Sequence, residues 1–117
     1  MDKANIYIND KEYSVEIAIS EEDKEIGLQN RSKLAEDAGM LFVYDSPQTV
    51  QYWMKDTLIP LDIIFIDEYW EVIDMIEGEP NSEDILECDG VKYVLELNAK
   101  SGVKRGDEID LTELEPD

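Results

Sequence analysis

Apolar and polar residues alternate from the start of the chain. Ile6 and Ile8 fall on one face of residues 4–8, and Val15, Ile17 and Ile19 on one face of 13–19. A period of two is that of a half-buried strand. Asn9-Asp10 between the runs tolerates positive φ, so the pattern predicts a β-hairpin. At Ser20 the pattern changes. A serine followed by Glu21-Glu22-Asp23 supplies a cap and a negative first turn, both suited to a helix start. A short helix is expected over 21–29, with Ile26 towards the core and Gly27 weakening its end. A connection over 31–38 is closed by Gly39.

Strands are expected next over 40–44 and 50–54, parted by a turn at Asp45-Ser46-Pro47. Residues 57–60 make a bend, because Pro60 lacks an amide donor and restricts Ile59. Residues 61–66 are apolar on both faces except at Asp62, and their β-branched side chains predict a central strand. Glu68-Tyr69 turns the chain, and alternation resumes over 70–76. Residues 78–84 form a polar loop. A strand over 92–98 follows Asp89-Gly90, then one helical turn over 99–104 and a last short strand over 108–111. The tail 112–117 is acidic and expected to fray. About eight strands with one or two short helices predict a mainly β, single-domain antiparallel sandwich or barrel over residues 1–117. The alternative is a small closed β-barrel of the cradle-loop kind.

Charge narrows the partners. Thirty acids against ten bases give a net charge of -20, while 43% of the residues are apolar. That apolar share is enough for a core. Nucleic acid and anionic membranes would be repelled, so neither is an expected partner. No base stands between Lys55 and Lys92. This acidic stretch reads as a solvated face, or as a place for a cation or a basic protein partner. No run is long and apolar enough to span a membrane, and no leader pattern opens the sequence. A cytoplasmic, monomeric protein is the expectation. Without histidine, and with Cys88 as the sole cysteine, an internal disulfide and Cys/His zinc sites are excluded. The acids lack the order of a calcium loop, and no phosphate loop or dinucleotide fingerprint is present, so neither metal nor cofactor is expected.

Three ordered blocks carry a resemblance. The first is Glu25-Ile26-Gly27-Leu28, then Arg31, then Gly39-Met40-Leu41-Phe42. The second runs from Trp53-Met54-Lys55-Asp56-Thr57 through Leu58-Ile59-Pro60-Leu61-Asp62 to Asp67. The third is Tyr93-Val94-Leu95-Glu96-Leu97-Asn98-Ala99, closing with Gly106-Asp107. Over residues 15–111 the chain resembles the DUF192 family, also called UPF0127, which is uncharacterised. The resemblance implies a mostly β sandwich of jelly-roll-like outline and supplies no reaction. The resemblance implies an export signal or membrane anchor in many members of that family, whereas none is expected for this chain. The chain departs from the family pattern at Gln29, where methionine is usual, and at Lys100, where glycine is usual.

Candidate chemistry gathers around the Pro60 bend. A carboxylate inside an apolar strand is costly unless it is solvated, paired or hydrogen-bonded. Asp62 either fixes the bend, through backbone or Thr57 hydrogen bonds, or is a site carboxylate. Lys55 and Arg31 are its expected partners. Trp53 beside Lys55 and Asp56 suits a sugar or cation surface, or is an ordinary core tryptophan. Glu96 and Asn98 share a strand face and would join Asp62 in an oxygen-rich pocket, or serve as structural polar groups. Asp56 with Asp62 is a further candidate acid/base pair. Cys88 sits among acids, which should raise its pKa and make it a poor nucleophile.

The leading expectation is therefore a non-enzymatic domain that binds a small molecule or a basic protein. Its site would be built from Trp53, Lys55, Asp62, Glu96 and Asn98, with Arg31 near by. The rivals are a carbohydrate hydrolase using Asp62 with Asp56 or Glu96, and a structural or assembly protein.

Overall fold

The computed structural model describes residues 1–111 of the chain. Its elements are β1 (Lys3–Ile8), β2 (Lys11–Ala18), α1 (Glu21–Ile26), β3 (Ala38–Tyr52), β4 (Leu61–Ile66), β5 (Val72–Gly78) and β6 (Leu86–Asn98). The strands make one six-stranded sheet in the order β1-β2-β3-β6-β4-β5. The fold is mainly β, with one short helix. The sheet is not closed into a barrel, which corrects the closed-barrel alternative. Neighbours run antiparallel except β2 and β3, which are parallel. Parallel pairing needs a long crossover, and α1 with its flanking loops provides it.

The six strands are longer than the expected ones. Asp45-Ser46-Pro47 does not end a strand, because β3 absorbs it in register shifts between Val43 and Gln48 and between Gln48 and Val50. At such a bulge Pro47 removes no ladder bond. Likewise β6 runs through Asp89-Gly90, where Gly90 takes φ 73°. The Asn9-Asp10 turn is as expected, with φ of 52° and 64° in a register that pairs Ile8 with Lys11. The helical turn expected over 99–104 is instead a non-helical turn, with Lys100 and Gly102 at φ 66° and 85°. The frayed tail expected over 112–117 lies outside the described residues.

Helix α1 also ends earlier than the sequence suggests. Asp23 N donates to Ser20 Oγ at 3.1 Å, so the cap is made. Gly27 at φ 52° then closes the helix, its N–H donating to the Asp23 carbonyl. This early stop leaves Ile26 51% exposed, and Leu28 becomes the buried anchor instead.

Register sorts the core into two layers. Val15, Leu41, Ile64, Leu95 and Leu97 share one face, packed with Ile6, Val103 and Ile109. Met40, Phe42, Ile63, Phe65 and Val94 share the other, packed with Leu28 and Met54. Each buried Ile, Leu or Phe contributes roughly 1.5–3 kcal/mol by leaving water. Where β3 meets β6 the backbones come close. A Cβ on Gly39 would lie 2.6 Å from the Glu96 carbonyl oxygen and from Leu97 Cδ2.

The segment after residue 105 touches both edges of the sheet. Tyr7 on β1 exchanges two backbone hydrogen bonds of 2.9 Å with Asp110. Ile109 N donates to the Trp70 carbonyl, Val72 N to the Asp107 carbonyl, and Gly106 N to the Val72 carbonyl. The strand expected over 108–111 is thus two bridges, Tyr7 to Asp110 and Glu71 to Glu108.

Candidate functional site

The second face of the sheet carries one carboxyl group in its apolar layer. Alternation along β6 sets Val94, Glu96 and Asn98 on that face. Across the ladder Glu96 is flanked by Met40 on β3 and Ile63 on β4. It is 5% exposed. Its carboxyl group has neither a hydrogen bond nor an ion pair with any described residue. Burial alone pushes its pKa up to about 8, so it holds its proton at neutral pH.

Glu96 lines a cavity of about 330 Å³ between the sheet and the chain around α1. Phe42, Tyr44 and Tyr52 supply an aromatic wall, and Ile26 and Trp53 also line it. The Tyr44 and Tyr52 hydroxyls are hydrogen-bonded at 2.8 Å. Tyr52 packs edge-on against Phe42, with centroids 5.3 Å apart. Burial raises the pKa of both phenols, so both stay neutral. Lys24 is the one base among the lining residues. Its ammonium lies 4.2 Å from the centre of the Tyr44 ring and 3.6 Å from Glu21. The cavity is shaped by backbone ties as well. Asn30 N donates to the Asp56 carbonyl at 2.8 Å, and Asn81 N to the Thr57 carbonyl at 2.9 Å. The first holds the 53–58 turn against the loop that follows α1, and the second holds it against the loop between β5 and β6.

The sequence-predicted residues do not converge. Of them, Trp53 and Glu96 share the cavity. Asp62 lies on the opposite face of the sheet, paired in register with Leu97. Its Oδ2 accepts from Ser101 N at 2.9 Å and Ser101 Oγ at 2.6 Å, while Oδ1 is buried without a partner. Asp62 therefore fixes the turn after β6, not the Pro60 bend. Neither expected cation reaches it. Arg31 instead makes a two-pronged pair with Glu16, Nη1 to Oε2 at 2.6 Å and Nη2 to Oε1 at 2.9 Å. That pair, by its hydrogen bonds first, lowers the pKa of Glu16. Lys55 stands over the Trp53 ring at 5.3 Å, and Asp56 is an exposed turn residue at φ 58°. Asn98 donates to the Leu34 and Ala35 carbonyls at 2.8 and 3.2 Å, pinning the connection before β3. The thiol of Cys88 is pushed up by burial first, then by Asp74 and Asp89, in the expected direction.

A family model for DUF192, described as an uncharacterised ACR, matches residues 4–111. The chain belongs to the DUF192 family. This DUF192 chain is similar to a solved protein from Sinorhizobium meliloti 1021 that is provisionally described as a transcription regulator. Identity is 33% and the TM-score 0.90, over 97% of this chain and 96% of that one. It is also similar to a protein of unknown function from Novosphingobium aromaticivorans DSM 12444. There identity is 28% and the TM-score 0.84, over 92% and 84% of the two chains. No curated protein matches it. No specific function follows from these relatives.

Within this DUF192 fold, sequence reasoning missed Tyr44, Tyr52 and Lys24. Tyr44 had a signal: it continues the alternation of Met40 and Phe42, so it had to lie on the Glu96 face. Tyr52 had none, because the bulges between it and Tyr44 scramble the period. Among the described residues no group of His, Cys, Asp or Glu is arranged to hold a metal ion. No helix there is long and apolar enough to cross a membrane.

Proposed function

We propose that the domain is a binding module that seats a small molecule in the cavity between α1 and the sheet. Glu96 is its polar contact and the aromatic wall its packing surface. One observation carries this reading: an unpartnered carboxyl group, almost fully buried, opens onto a cavity large enough for a ligand. Placing a carboxyl there costs stability, and a structural role would have brought a hydrogen-bond partner with it. Trp53 stays in the site as a wall, while Asp62, Asn98 and Arg31 belong to the framework. The sandwich-like outline is part of the same proposal. It is supported by the two packed layers and by the segment 106–110, which ties both sheet edges.

A fragment library titrated into isotope-labelled protein tests the reading. Amide and side-chain resonances of residues 24–29, Tyr44, Tyr52 and Glu96 are expected to shift saturably. Hits confined to the Asp62 side of the sheet, or none at all, would reject it.

A second reading has its own support. Glu96 is a raised carboxyl, and Glu21 and Glu25 on α1 line the same cavity. A general acid facing a carboxylate is the arrangement of glycoside cleavage. Turnover on a glycoside panel, abolished by Glu96→Gln, would establish it, and silence across the panel would remove it. A role in transcription, if carried over from the Sinorhizobium relative, is better served by ligand or protein contacts than by DNA. A net charge of -20 opposes a phosphate backbone.

A further inference from the structure

The chemistry of the cavity narrows its ligand. Three acids line it, Glu21, Glu25 and Glu96, against the single base Lys24. Glu96 lacks a counter-charge, and Lys24 is already engaged by Glu21 and the Tyr44 ring. The fold itself places ammonium groups on the rings here. Lys24 lies over Tyr44 and Lys55 over Trp53, both in the cation–π range. Ile26 and Trp53, 51% and 42% exposed, add apolar surface to a rim that also carries Glu21, Glu25 and Gln51. The net charge of -20 draws cations towards the surface.

We infer that the cavity binds a small organic cation, its ammonium group on the Glu96 carboxylate among Phe42, Tyr44 and Tyr52, and its carbon chain against Ile26 and Trp53. This rests on the proposed ligand-binding role of the cavity and adds the class of ligand. A neutral guest would leave Glu96 a protonated acid with one hydrogen bond to give. An anion would meet three acids. A cation alone converts the cost of the buried carboxyl into an attraction, because the ion pair forms on an almost fully buried group beside aromatic side chains, where charges interact more strongly than in bulk water.

The inference carries a proton signature. Glu96 is protonated at neutral pH, so a cation must displace its proton to the solvent. Charged and titratable groups face it from each neighbouring element. From α1 come Glu21, Lys24 and Glu25, and from β3 the neutral phenols of Tyr44 and Tyr52. On β4 its neighbour is Ile63. In the same register row, beyond Met40, Glu16 is paired with Arg31. With its pKa raised by burial to about 8, Glu96 changes charge as the pH rises towards and through that value. Affinity for a permanently charged amine is expected to rise about tenfold per pH unit up to pH 7.5 and to flatten above 8.

The test titrates the full chain with butylammonium, 1-pentanol and butyrate in parallel, followed by the resonances of Tyr44, Tyr52 and Glu96. Butylammonium is expected to bind at least tenfold more tightly than the other two, with the pH rise above. Calorimetry in two buffers should find close to one proton released per ligand at pH 6.5. Glu96→Gln, checked for folding by thermal denaturation, should lose tenfold or more in affinity together with the pH dependence. If pentanol or butyrate binds as tightly, or affinity is flat with pH in the unmodified protein, the cation assignment is wrong while the binding role stands. If neither these probes nor the fragment library perturbs the cavity, both fail.

Discussion

Asp62 and Glu96 sit in adjacent register rows of neighbouring strands and point to opposite faces of the sheet. One is consumed by the turn at Ser101, while the other faces a cavity. Two buried carboxyl groups a few residues from each other in the fold thus carry separate duties. Asp62→Ala removes the acceptor of two hydrogen bonds and should cost about 1–3 kcal/mol. Urea denaturation measures this, and hydrogen exchange should locate the loosening at residues 99–103. Ligand responses at Glu96 should survive in the variant.

Glu96 also sets a pH dependence of stability. In the unfolded chain it ionises near 4.5, and in the folded chain near 8. Between those values the folded state keeps a proton that the unfolded state has lost, so raising the pH drains stability. Nothing is lost below the lower value, and the loss is complete above the upper. Glu96→Gln removes this pH dependence and should be the more stable protein at pH 7, by roughly 3 kcal/mol. The difference between the two proteins should shrink towards zero as the pH falls to 4.5. Denaturant midpoints across pH 4.5–8.5 check both halves.

The Glu16–Arg31 pair works in the opposite sense. The guanidinium holds Glu16 below its ordinary range, so its contribution is present above pH 4.5 and is lost as acid titrates the folded carboxylate. Both side chains are partly exposed, which limits the pair to about 1 kcal/mol at neutral pH. Arg31→Met should cost that much at pH 7, and the cost should shrink as the pH falls below 4.5, by chemical denaturation.

Lys100 occupies a left-handed position, φ 66°, a conformation that favours glycine. A side chain there strains the backbone. Its ion pair with Glu77 is long, at 3.8 Å, and exposed. Lys100→Gly should therefore stabilise the chain by roughly 0.5–1 kcal/mol, the excess of relieved strain over added unfolded-state entropy. An unchanged or lower denaturation midpoint would contradict this.

Gly39 tests the closeness of β3 and β6. An added methyl group would meet the Glu96 carbonyl and Leu97, so the strands must part. Gly39→Ala should destabilise by about 1–3 kcal/mol. Because the strain falls on the strand that carries Glu96, the Glu96 resonances should move with it.

Much of this was legible in the chain itself. An apolar run rich in β-branched residues gave β4, which lies between β6 and β5 rather than at the centre of the sheet, and alternation gave the hairpin and the faces of β6. It also marked Asp62 and Glu96 as polar residues inside apolar strands. What each carboxyl group meets was not legible. Ser101 stands 39 residues from Asp62, and Glu16 stands 15 from Arg31, and nothing local in the sequence announces either meeting. Pro60 suggested a bend that would return Lys55 to Asp62, but strand alternation turns Asp62 to the far side of the sheet. Turn chemistry misled at Asp45-Ser46-Pro47 and Asp89-Gly90, because bulges let a long strand swallow residues that usually end one.

The ties from residues 106–110 to Tyr7, Trp70 and Val72 make the two rims of the sheet share one latch. Unpaired rims are templates on which other chains add as strands. If the latch lifts, both rims open in the same event, and the protein gains two sticky borders at once. Lifetime in solution, resistance to proteases and freedom from clumping should then rise and fall together, set by a handful of backbone bonds far from the ligand cavity.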